Sequence, residues 1–385
     1  MPDFYEFFAG GGMARAGLGP GWTCLLANDM DERKARAYRA NWGARELLVR
    51  DIADLTAAEL PSRADLAWGS FPCQDLSLAG VGAGLNGARS GTFHAFWDLI
   101  GALADDGRAP AIVALENVCG ALTSHGGGDF AAIAEVFAAH GYRLGPLVID
   151  AADFVPQSRP RLFLIGAREE FDIDPALLSA APNGPFHPPA LERAVARLPR
   201  PDRILWWRVP PPARRKVSFG DILESDLSAS AWHSAARTAR LLALMSPVNF
   251  DKVRDAQASG ERRIGAVYRR TRTDAAGRRT QRAEVRFDEI AGCLRTPAGG
   301  SSRQTILVVK GETIRSRLIT ARETARLMGL PDDYNLPPGY TDAYHLTGDG
   351  VVVDVVRHLA RHLIEPLLAG AEMDFSPRRA NIGAR

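Results

Sequence analysis

Between residues 3 and 167, short apolar runs alternate with amphipathic segments, and no other feature restricts the fold of this chain as much. The alternation is typical of a parallel β-sheet covered by helices, in which buried strands read as continuous apolar runs. We predict strands at 3–8, 23–27, 47–49, 66–68, 112–115, 144–150 and 161–165. The first half of the chain is therefore predicted to be α/β, with helices between the strands.

The rest of the 385 residues divides at a change in pattern. Prolines cluster and periodicity weakens at about 168–215, which we interpret as a linker into a second domain. Helical spacing returns at 321–330 and 351–368, so the chain is expected to rejoin its first domain. The length fits two domains or three.

Composition excludes several classes of protein. No apolar run approaches the roughly 20 residues of a membrane-spanning helix, and the start at Met1 has no basic segment leading into a hydrophobic one, so a cytoplasmic protein without membrane contact is expected. The four cysteines form no CxxC pair, which argues against a zinc knuckle and a disulfide framework. No metal site is predicted. A cysteine that matters here would act as a thiol.

Positive charge is concentrated in one short segment although the net charge of the chain is only +2. Residues 262–286 hold nine arginines against Asp274 and Glu284, a local charge of +7. The strand-like runs around 267–268 and 283–287 flank a turn at 274–277, which predicts a basic hairpin. A nucleic-acid contact and a merely solvated hairpin are both compatible with this pattern.

Three predicted strand ends carry residues suited to a nucleotide-like ligand. The first strand runs into Phe8-Ala9-Gly10-Gly11-Gly12, where glycines permit a tight turn and close approach to a ligand. The second ends at Asn28-Asp29, where a carboxylate can bind ribose hydroxyls, and the third at Asp51-Ile52, suited to adenine. Together they indicate an adenosine-containing cofactor. A simple tight turn, a solvated Asp29 and a helix-capping Asp51 remain the alternatives.

A thiol and a carboxylate follow the next two predicted strands. Cys73 lies in Gly69-Ser70-Phe71-Pro72-Cys73-Gln74, and a glycine-rich stretch at 80–91 after it suits a mobile lid. Glu116 opens the Glu-Asn-Val tripeptide after the fifth strand. Open α/β sheets place their ligands at carboxyl strand ends, so both side chains are expected to meet one substrate. An isolated cysteine is otherwise often a small buried hydrophobe.

At this point the chain resembles the cytosine-5 DNA methyltransferase family. The matching motifs run in the family's order: Phe-x-Gly-x-Gly at 8–12, Pro-Cys-Gln at 72–74, Glu-Asn-Val at 116–118, Gln-x-Arg-x-Arg at 157–161, Arg-Thr-Pro at 295–297 with Arg-Gln at 303–304, and a closing cofactor motif at 346–352. Each motif is short, but the ordered set is specific. The resemblance covers most of the chain except about 168–260.

The resemblance implies a Rossmann-like methyltransferase domain at 1–167 and 316–385, with a smaller mixed target-recognition domain inserted at 168–315. It implies S-adenosyl-L-methionine as methyl donor and a flipped-out cytosine in duplex DNA as substrate. The implied catalytic residues are Cys73, Glu116, Arg159 and Arg161. The implied cofactor residues are Phe8, Gly10, Gly12, Asp29, Met30, Asp51, Ile52, Phe93, Asp349 and Val351. The implied DNA-contacting residues are Gln74, Ser77, Arg89, Arg269, Arg270, Arg272, Arg282, Arg286 and Arg303.

Several alternatives and departures stay open. An RNA cytosine methyltransferase shares this chemistry, and a non-catalytic DNA-binding regulator could keep the fold, although the long insert and the intact catalytic set favour an enzyme acting on duplex DNA. A monomer is expected, and the sequence leaves open whether a restriction endonuclease acting on the same site is a partner. Met13, Met30 and Ser70 differ from the usual family residues, and Asp349 stands where many relatives have asparagine. Asp349 could alter cofactor affinity or be ordinary variation.

Overall fold

The computed structural model describes residues 1–71, 91–225, 227–273, 277–296 and 303–372. Most of the described chain surrounds one large sheet, and a second sheet forms from residues 263–318. Within these residues, no helix is long and apolar enough to cross a membrane.

The large sheet has seven strands in the order β3-β2-β1-β4-β5-β7-β6. Its strands are β1 (Asp3–Phe7), β2 (Thr23–Asp29), β3 (Leu47–Val49), β4 (Leu66–Gly69), β5 (Ile112–Val118), β6 (Tyr142–Asp150) and β7 (Pro160–Arg168). Six strands point the same way, and β7 is antiparallel to its neighbours β5 and β6. All seven predicted strands are present, and the predicted α/β class is confirmed.

Both faces of this sheet are buried, which explains why its strands read as continuous apolar runs. Side chains alternate between the faces along β5, where Ile112 and Ala114 contribute to one apolar cluster and Val113 and Leu115 to the other. Because each face requires a cover, the chain must supply helices on both sides of the sheet.

Helices cover the two faces of the large sheet and the apolar face of the second sheet. Their bounds are α1 (Met13–Leu18), α2 (Glu32–Trp42), α3 (Gly91–Asp105), α4 (Gly128–Ala139), α5 (Pro189–Val195), α6 (Ala235–Ala243), α7 (Pro247–Ala258), α8 (Ala321–Leu327), α9 (Tyr340–Asp349), α10 (Val353–Leu359) and α11 (Glu365–Glu372). Helix α10 packs closely on α1, since a Cβ added at Gly17 would lie 2.4 Å from Val356 Cβ. The last part of the chain therefore contacts its first helix.

The proline-rich segment that we interpreted as a linker is packed rather than extended. It contains the short strands β8 (Leu178–Ser179) and β9 (Trp206–Trp207), which pair with each other. Trp207 is 1% exposed and donates its Nε1 hydrogen to Gly145 O on β6 at 3.0 Å. The proposed division into domains stays a prediction, but this stretch is held against the large sheet.

The second sheet is antiparallel, with the order β11-β10-β12-β13. Its strands are β10 (Arg263–Thr273), β11 (Arg279–Arg286), β12 (Thr305–Lys310) and β13 (Thr313–Leu318). The predicted basic hairpin is confirmed as β10 and β11, which pair from Ala266↔Arg286 to Thr273↔Arg279. Three residues of the predicted turn, 274–276, lie outside the described part of the chain.

Candidate active site

The glycine-rich turn after β1 has a left-handed backbone at three positions. Phe8, Gly10 and Gly12 have φ values of 56°, 58° and 76°. Gly12 is also crowded, since an added Cβ would lie 2.3 Å from Trp42 Nε1. Trp42 and Tyr334 fix the turn from outside by donating hydrogen bonds to Gly11 O at 3.0 and 2.7 Å. Glycine is therefore required at Gly12 by both conformation and space.

Asp29, at the end of β2, stabilises the glycine turn through a hydrogen bond. One carboxylate oxygen accepts a hydrogen bond from Gly10 N at 2.8 Å, and the other accepts one from Asp31 N at 2.8 Å. Its neighbour Met30 is 65% exposed and offers an apolar surface beside the turn. A carboxylate has further lone pairs, so these two hydrogen bonds leave the predicted ribose contact open.

The other predicted cofactor residues differ in how much surface they present. Asp51 accepts a hydrogen bond from Ala53 N at 3.0 Å and caps a short 3-10 helix, which is the alternative role anticipated from the sequence. Ile52 and Val351 are 3% and 4% exposed. Phe93 is 0% exposed and packs on Phe71 with ring centroids 5.1 Å apart. Contact of Phe93 with a cofactor stays a prediction, since it has no exposed surface here.

Asp349, the departure in the closing motif, is paired with Lys34. Lys34 Nζ lies 2.9 Å from Asp349 Oδ2, with the side chains 23% and 40% exposed. Although burial opposes the charge on Lys34, Asp349 and then Asp29 raise the pKa of its ammonium. The pair joins α2 to the end of α9, and it neutralises the extra negative charge that the sequence places there.

The space at the glycine turn is compatible with an adenosine-containing cofactor. A Cβ added at Gly10 would meet no atom within 4 Å, so the turn is open on that side. The exposed Met30 and the carboxylates of Asp29 and Asp51 follow adjacent parallel strands, β2 and β3. These residues fit a ligand with an apolar ring and a ribose.

Glu116 and Arg161 form a close ion pair at the end of β5. Arg161 Nε lies 2.9 Å from Glu116 Oε1, and the side chains are 16% and 8% exposed. Strand pairing explains this proximity, because Val118 on β5 is the register partner of Arg161 on β7. Glu116 also lies one residue beyond Leu115, the partner of Gly69 at the end of β4. A carboxylate and a guanidinium are thus held together beside the strand that leads to Cys73.

Arg159 is buried and donates to backbone carbonyls from two distant segments. It is 3% exposed, and its Nη1 donates to Leu294 O at 3.1 Å while its Nη2 donates to Gly348 O and Gly350 O at 3.0 and 2.7 Å. Burial, and secondarily the charge of Arg161, lower the pKa of Arg159. These contacts connect the loop before β7 to the segment after β11 and to the closing motif.

Cys293 is a third group beside the two arginines. Its Sγ lies 3.4 Å from Arg159 Nη1 and 3.8 Å from Arg161 Nη2. Although burial opposes ionisation, these two arginines and Arg295 lower the pKa of the Cys293 thiol. By contrast, burial raises the pKa of Cys24 to about 12 and that of Cys119 to about 11.

Residues 72–90 lie outside the described part of the chain. They include the predicted nucleophile Cys73, the predicted DNA contacts Gln74, Ser77 and Arg89, and most of the predicted lid. The assignments of these residues stay predictions based on sequence.

The basic hairpin places its arginines on two different faces. Arg270, Arg272, Arg282 and Arg286 share one face, since Arg270 is the register partner of Arg282 and residues two apart along a strand point the same way. Arg269 lies on the other face, where its Nη1 donates to Gln281 Oε1 at 3.3 Å. Arg303, just before β12, donates to Thr341 Oγ1 at 2.7 Å.

Sequence reasoning missed Lys34, Gln157 and Cys293 at this site, and Glu284 on the basic hairpin, where it contacts Arg270 and Arg272. Gln157 is 0% exposed, donates to Leu327 O at 2.8 Å and accepts from Leu294 N at 2.9 Å, so it ties the loop before β7 to α8. Its place in the Gln-x-Arg-x-Arg motif was the signal that could have found it. Among the described residues, no group of histidine, cysteine, aspartate and glutamate is arranged to hold a metal ion.

Comparison with known proteins gives a consistent result. The family model described as C-5 cytosine-specific DNA methylase matches residues 3–365. Type II methyltransferase M.HpaII from Haemophilus parainfluenzae is 26% identical over 384 residues, covering 94% of this chain and 89% of that protein. Type II methyltransferase M.HhaI from Haemophilus parahaemolyticus is 25% identical, covering 97% of this chain and 96% of that protein.

Solved structures share the fold at low sequence identity. The structure of Dnmt2 methyltransferase from S. pombe has a TM-score of 0.60 at 17% identity, covering 95% of this chain and 99% of that one. The methyltransferase EhMeth from Entamoeba histolytica has a TM-score of 0.63 at 16% identity, covering 95% of this chain and 99% of that one.

Proposed function

Since this chain belongs to the C-5 cytosine-specific DNA methylase family, we propose that it methylates carbon 5 of one cytosine within a specific duplex DNA sequence, with S-adenosylmethionine as donor and Cys73 as nucleophile. The observation that carries the proposal is the buried pair of Glu116 and Arg161, with Arg161 Nε 2.9 Å from Glu116 Oε1, beside the strand that leads to Cys73. A pair of this kind can hold and polarise a pyrimidine ring while a thiolate attacks it.

The chemistry explains why a thiol and a carboxylate are both needed. Carbon 5 of cytosine is a poor nucleophile, so the Cys73 thiolate adds to carbon 6 and makes carbon 5 an enamine carbon. S-adenosylmethionine supplies the electrophilic methyl group that this carbon takes. Loss of the carbon 5 proton to a base, for which we propose an ordered water, then lets the Cys73 thiolate leave. A stacked base is out of reach, so the cytosine is flipped from the duplex.

Glu116 and Arg161 act on the ring during this addition. Glu116 shares a proton with ring nitrogen 3 and accepts a hydrogen bond from the exocyclic amine, and the positive charge that the proton brings to the ring draws electrons from carbon 6 as the thiolate approaches. Arg161 fixes the Glu116 carboxylate and adds a positive charge beside the ring. Arg159 stabilises the start of β7, which carries Arg161. Its role is structural support, because its guanidinium donates hydrogen bonds to the carbonyl oxygens of Leu294, Gly348 and Gly350.

The cofactor would be held by the open glycine turn and the strand ends that follow it. Gly10 leaves room for a ligand, Asp29 and Asp51 offer carboxylate oxygens to ribose and the adenine amine, and Met30 offers an apolar surface to the ring. Lys34 and Asp349 would lie near the methionine end of the cofactor.

The partners belong to the same proposal. Duplex DNA would contact the basic hairpin, and the names of the Type II relatives support a restriction endonuclease acting on the same site. We propose that the enzyme acts as a monomer.

The test is to express the chain in a host without cytosine methylation and to map modified cytosines in DNA and RNA by conversion sequencing. We expect methylation of one cytosine in a short duplex DNA sequence, its loss in Cys73→Ser, and its retention in Cys24→Ser, which alters a buried thiol near the amino-terminal start of β2. Methylation confined to RNA would contradict the substrate. Stoichiometric DNA binding without any methylation would favour the non-catalytic regulator.

A further inference from the structure

The hairpin formed by β10 and β11 has one apolar face and one charged face. Val267, Ala283 and Val285 pack in an apolar cluster with residues of α6 and α7. The opposite face carries Tyr268, Arg270 and Arg272 on β10 and Arg282, Glu284 and Arg286 on β11. Because the apolar face is covered by helices, the charged face is the one available to a ligand.

Glu284 is the only acidic residue of β10 and β11, and it contacts two arginines of the charged face, whereas Arg286 pairs with Asp288 just after β11. Arg272 donates to Glu284 Oε1 from Nε at 3.0 Å and from Nη2 at 2.6 Å. Arg270 Nε lies 3.8 Å from Glu284 Oε2. The Glu284 side chain is 20% exposed, whereas those of Arg270 and Arg272 are 49% and 53% exposed.

The contact with Glu284 uses one edge of the Arg272 guanidinium. A guanidinium has five N–H donors in a fixed plane, so binding through Nε and Nη2 leaves Nη1 and the second Nη2 hydrogen directed outward. That outer edge has the geometry that reads guanine O6 and N7 in the major groove. The carboxylate also fixes the side chain in advance, which reduces the conformational entropy lost on binding.

Arg282 is in a different situation. It stands directly opposite Arg270 across the strand pair, and like charges in that position repel each other. Within the part of the chain that the structure describes, the side chain of Arg282 makes no hydrogen bond or ion pair. Glu284 on the same face is already engaged by Arg270 and Arg272. A cation without an ion pair, on a face of like charges, is suited to a phosphate group.

We propose that Glu284 is a specificity-determining positioning residue that orients Arg272 to read a guanine and keeps Arg270 and Arg272 from binding phosphates, while Arg282 binds the DNA backbone. The proposal rests on the proposed function, since it concerns how the enzyme selects its duplex sequence. Glu284 contributes specificity at the expense of affinity, because each arginine it neutralises is one fewer cation for phosphate.

Glu284→Gln tests this division of roles, with Glu261→Gln as the control for removing one negative charge from the same region. Glu261 is exposed and lies before β10, off the charged face. Affinity is measured at several salt concentrations for a duplex carrying the mapped site and for one without it. Sequence preference is measured by methylation of a randomised duplex library, and melting curves confirm that all variants are folded.

In Glu284→Gln we expect tighter binding to the duplex without the site and a salt slope steeper by about one to two units, as one or two released arginines meet phosphates. We also expect preference for the mapped site to fall by about fivefold or more, the effect of weakening one bidentate base contact. Arg282→Ala should lower the salt slope by roughly one unit without changing preference.

The outcomes separate this proposal from the proposed function. If Glu284→Gln matches Glu261→Gln in slope and preference while Arg282→Ala lowers the slope, the hairpin binds DNA and the role of Glu284 is wrong. If all three variants match the unmodified protein in both measurements, the hairpin does not contact DNA, and this inference fails although methylation is intact. Absence of cytosine methylation in the unmodified protein overturns the proposed function itself.

Discussion

Arg161 Nε lies 2.9 Å from Glu116 Oε1 in a site where the two side chains are 16% and 8% exposed. Register between β5 and β7 creates this relationship, since the two residues belong to neighbouring strands that run in opposite directions. A carboxylate buried to this degree requires a partner, and Arg161 is the cation that supplies it.

Arg161→Ala should therefore lower both turnover and stability. We expect kcat to fall by about 10²- to 10⁴-fold, the usual range for loss of a positioned acid, base or charge-stabilising group. Leaving Glu116 unpaired should cost roughly 3 kcal/mol of unfolding free energy. Methyl transfer is measured below the melting temperature, and stability is measured by urea unfolding.

Arg168→Ala is the matched control, because Arg168 lies at the other end of β7 and pairs with Glu170, whose side chain is 54% exposed. It should cost about 1 kcal/mol or less and leave turnover unchanged. Glu116→Gln, which keeps the shape of the side chain, should lose turnover with a smaller effect on unfolding. A near-normal rate in Arg161→Ala would refute its role at the ring.

The pair of Lys34 and Asp349 should tune the choice between charged and neutral cofactor. Asp349→Asn removes the ion-pair partner of Lys34, and the ammonium then repels the sulfonium of S-adenosylmethionine more than the neutral thioether of S-adenosylhomocysteine. We expect the affinity ratio to shift several-fold against S-adenosylmethionine in Asp349→Asn and in its favour in Lys34→Met. Calorimetric titration with both ligands measures this affinity ratio. The double variant completes a double-mutant cycle with the two single variants and the unmodified protein. Equal ratios in all four proteins would show that the pair does not sense cofactor charge.

Glu6 beneath the glycine turn predicts a pH-dependent stability. Desolvation by burial raises the pKa of Glu6 to about 8, against the hydrogen bonds it accepts from the backbone N–H groups of Ala14 and Arg15. Because the folded-state pKa lies above the unfolded value, the folded protein binds the extra proton. The contribution of this proton to the free energy of unfolding is complete below about pH 4.5 and is lost as pH rises towards 8.

Glu6→Gln removes this titration. From pH 5 to 8, the stability of the variant relative to the unmodified protein should rise, by up to about 1.4 kcal/mol for each pH unit. Urea unfolding across this pH range is the measurement. Parallel pH profiles for the two proteins would mean that Glu6 is already ionised in the folded state at pH 5.

Sequence patterns predicted the large sheet well, because its strands are buried on both faces and so read as apolar runs between turn residues. The same patterns misread the segment at about 168–215, where prolines suggested a linker although its Trp207 packs on β6. Proline marks where regular structure is interrupted, and it does not report whether the segment is packed against a core.

The site was predictable where a short motif carries the chemistry and unpredictable where the partner is remote. Glu116 and Arg161 could be named from their motifs. The pairing of Lys34 with Asp349 could not, because 315 residues separate them and only the packing of α2 beside α9 brings them together. The partners of Arg159 were equally hidden, since a backbone carbonyl has no signature in sequence.

Cys293 should be the most reactive of the three described cysteines. Arg159 and Arg161 lower the pKa of its thiol against the effect of burial, so a larger fraction is thiolate at neutral pH. In a Cys73→Ser background, iodoacetamide should modify Cys293 before Cys24 and Cys119, as followed by peptide mass mapping over time. Faster modification of Cys24 or Cys119 would contradict the assigned electrostatics.

The covalent step is the centre of this account, and a duplex with 5-fluorocytosine at the mapped target position tests it most directly. Fluorine cannot leave as the ring proton does, so elimination fails after methyl transfer and the enzyme stays attached through Cys73. With S-adenosylmethionine, intact-mass analysis after denaturation should show a protein–DNA adduct in the unmodified protein and in Cys24→Ser, and none in Cys73→Ser. An enzyme that methylates ordinary duplex DNA but gives no adduct, or gives one at Cys293, would contradict the assignment of Cys73 as the nucleophile.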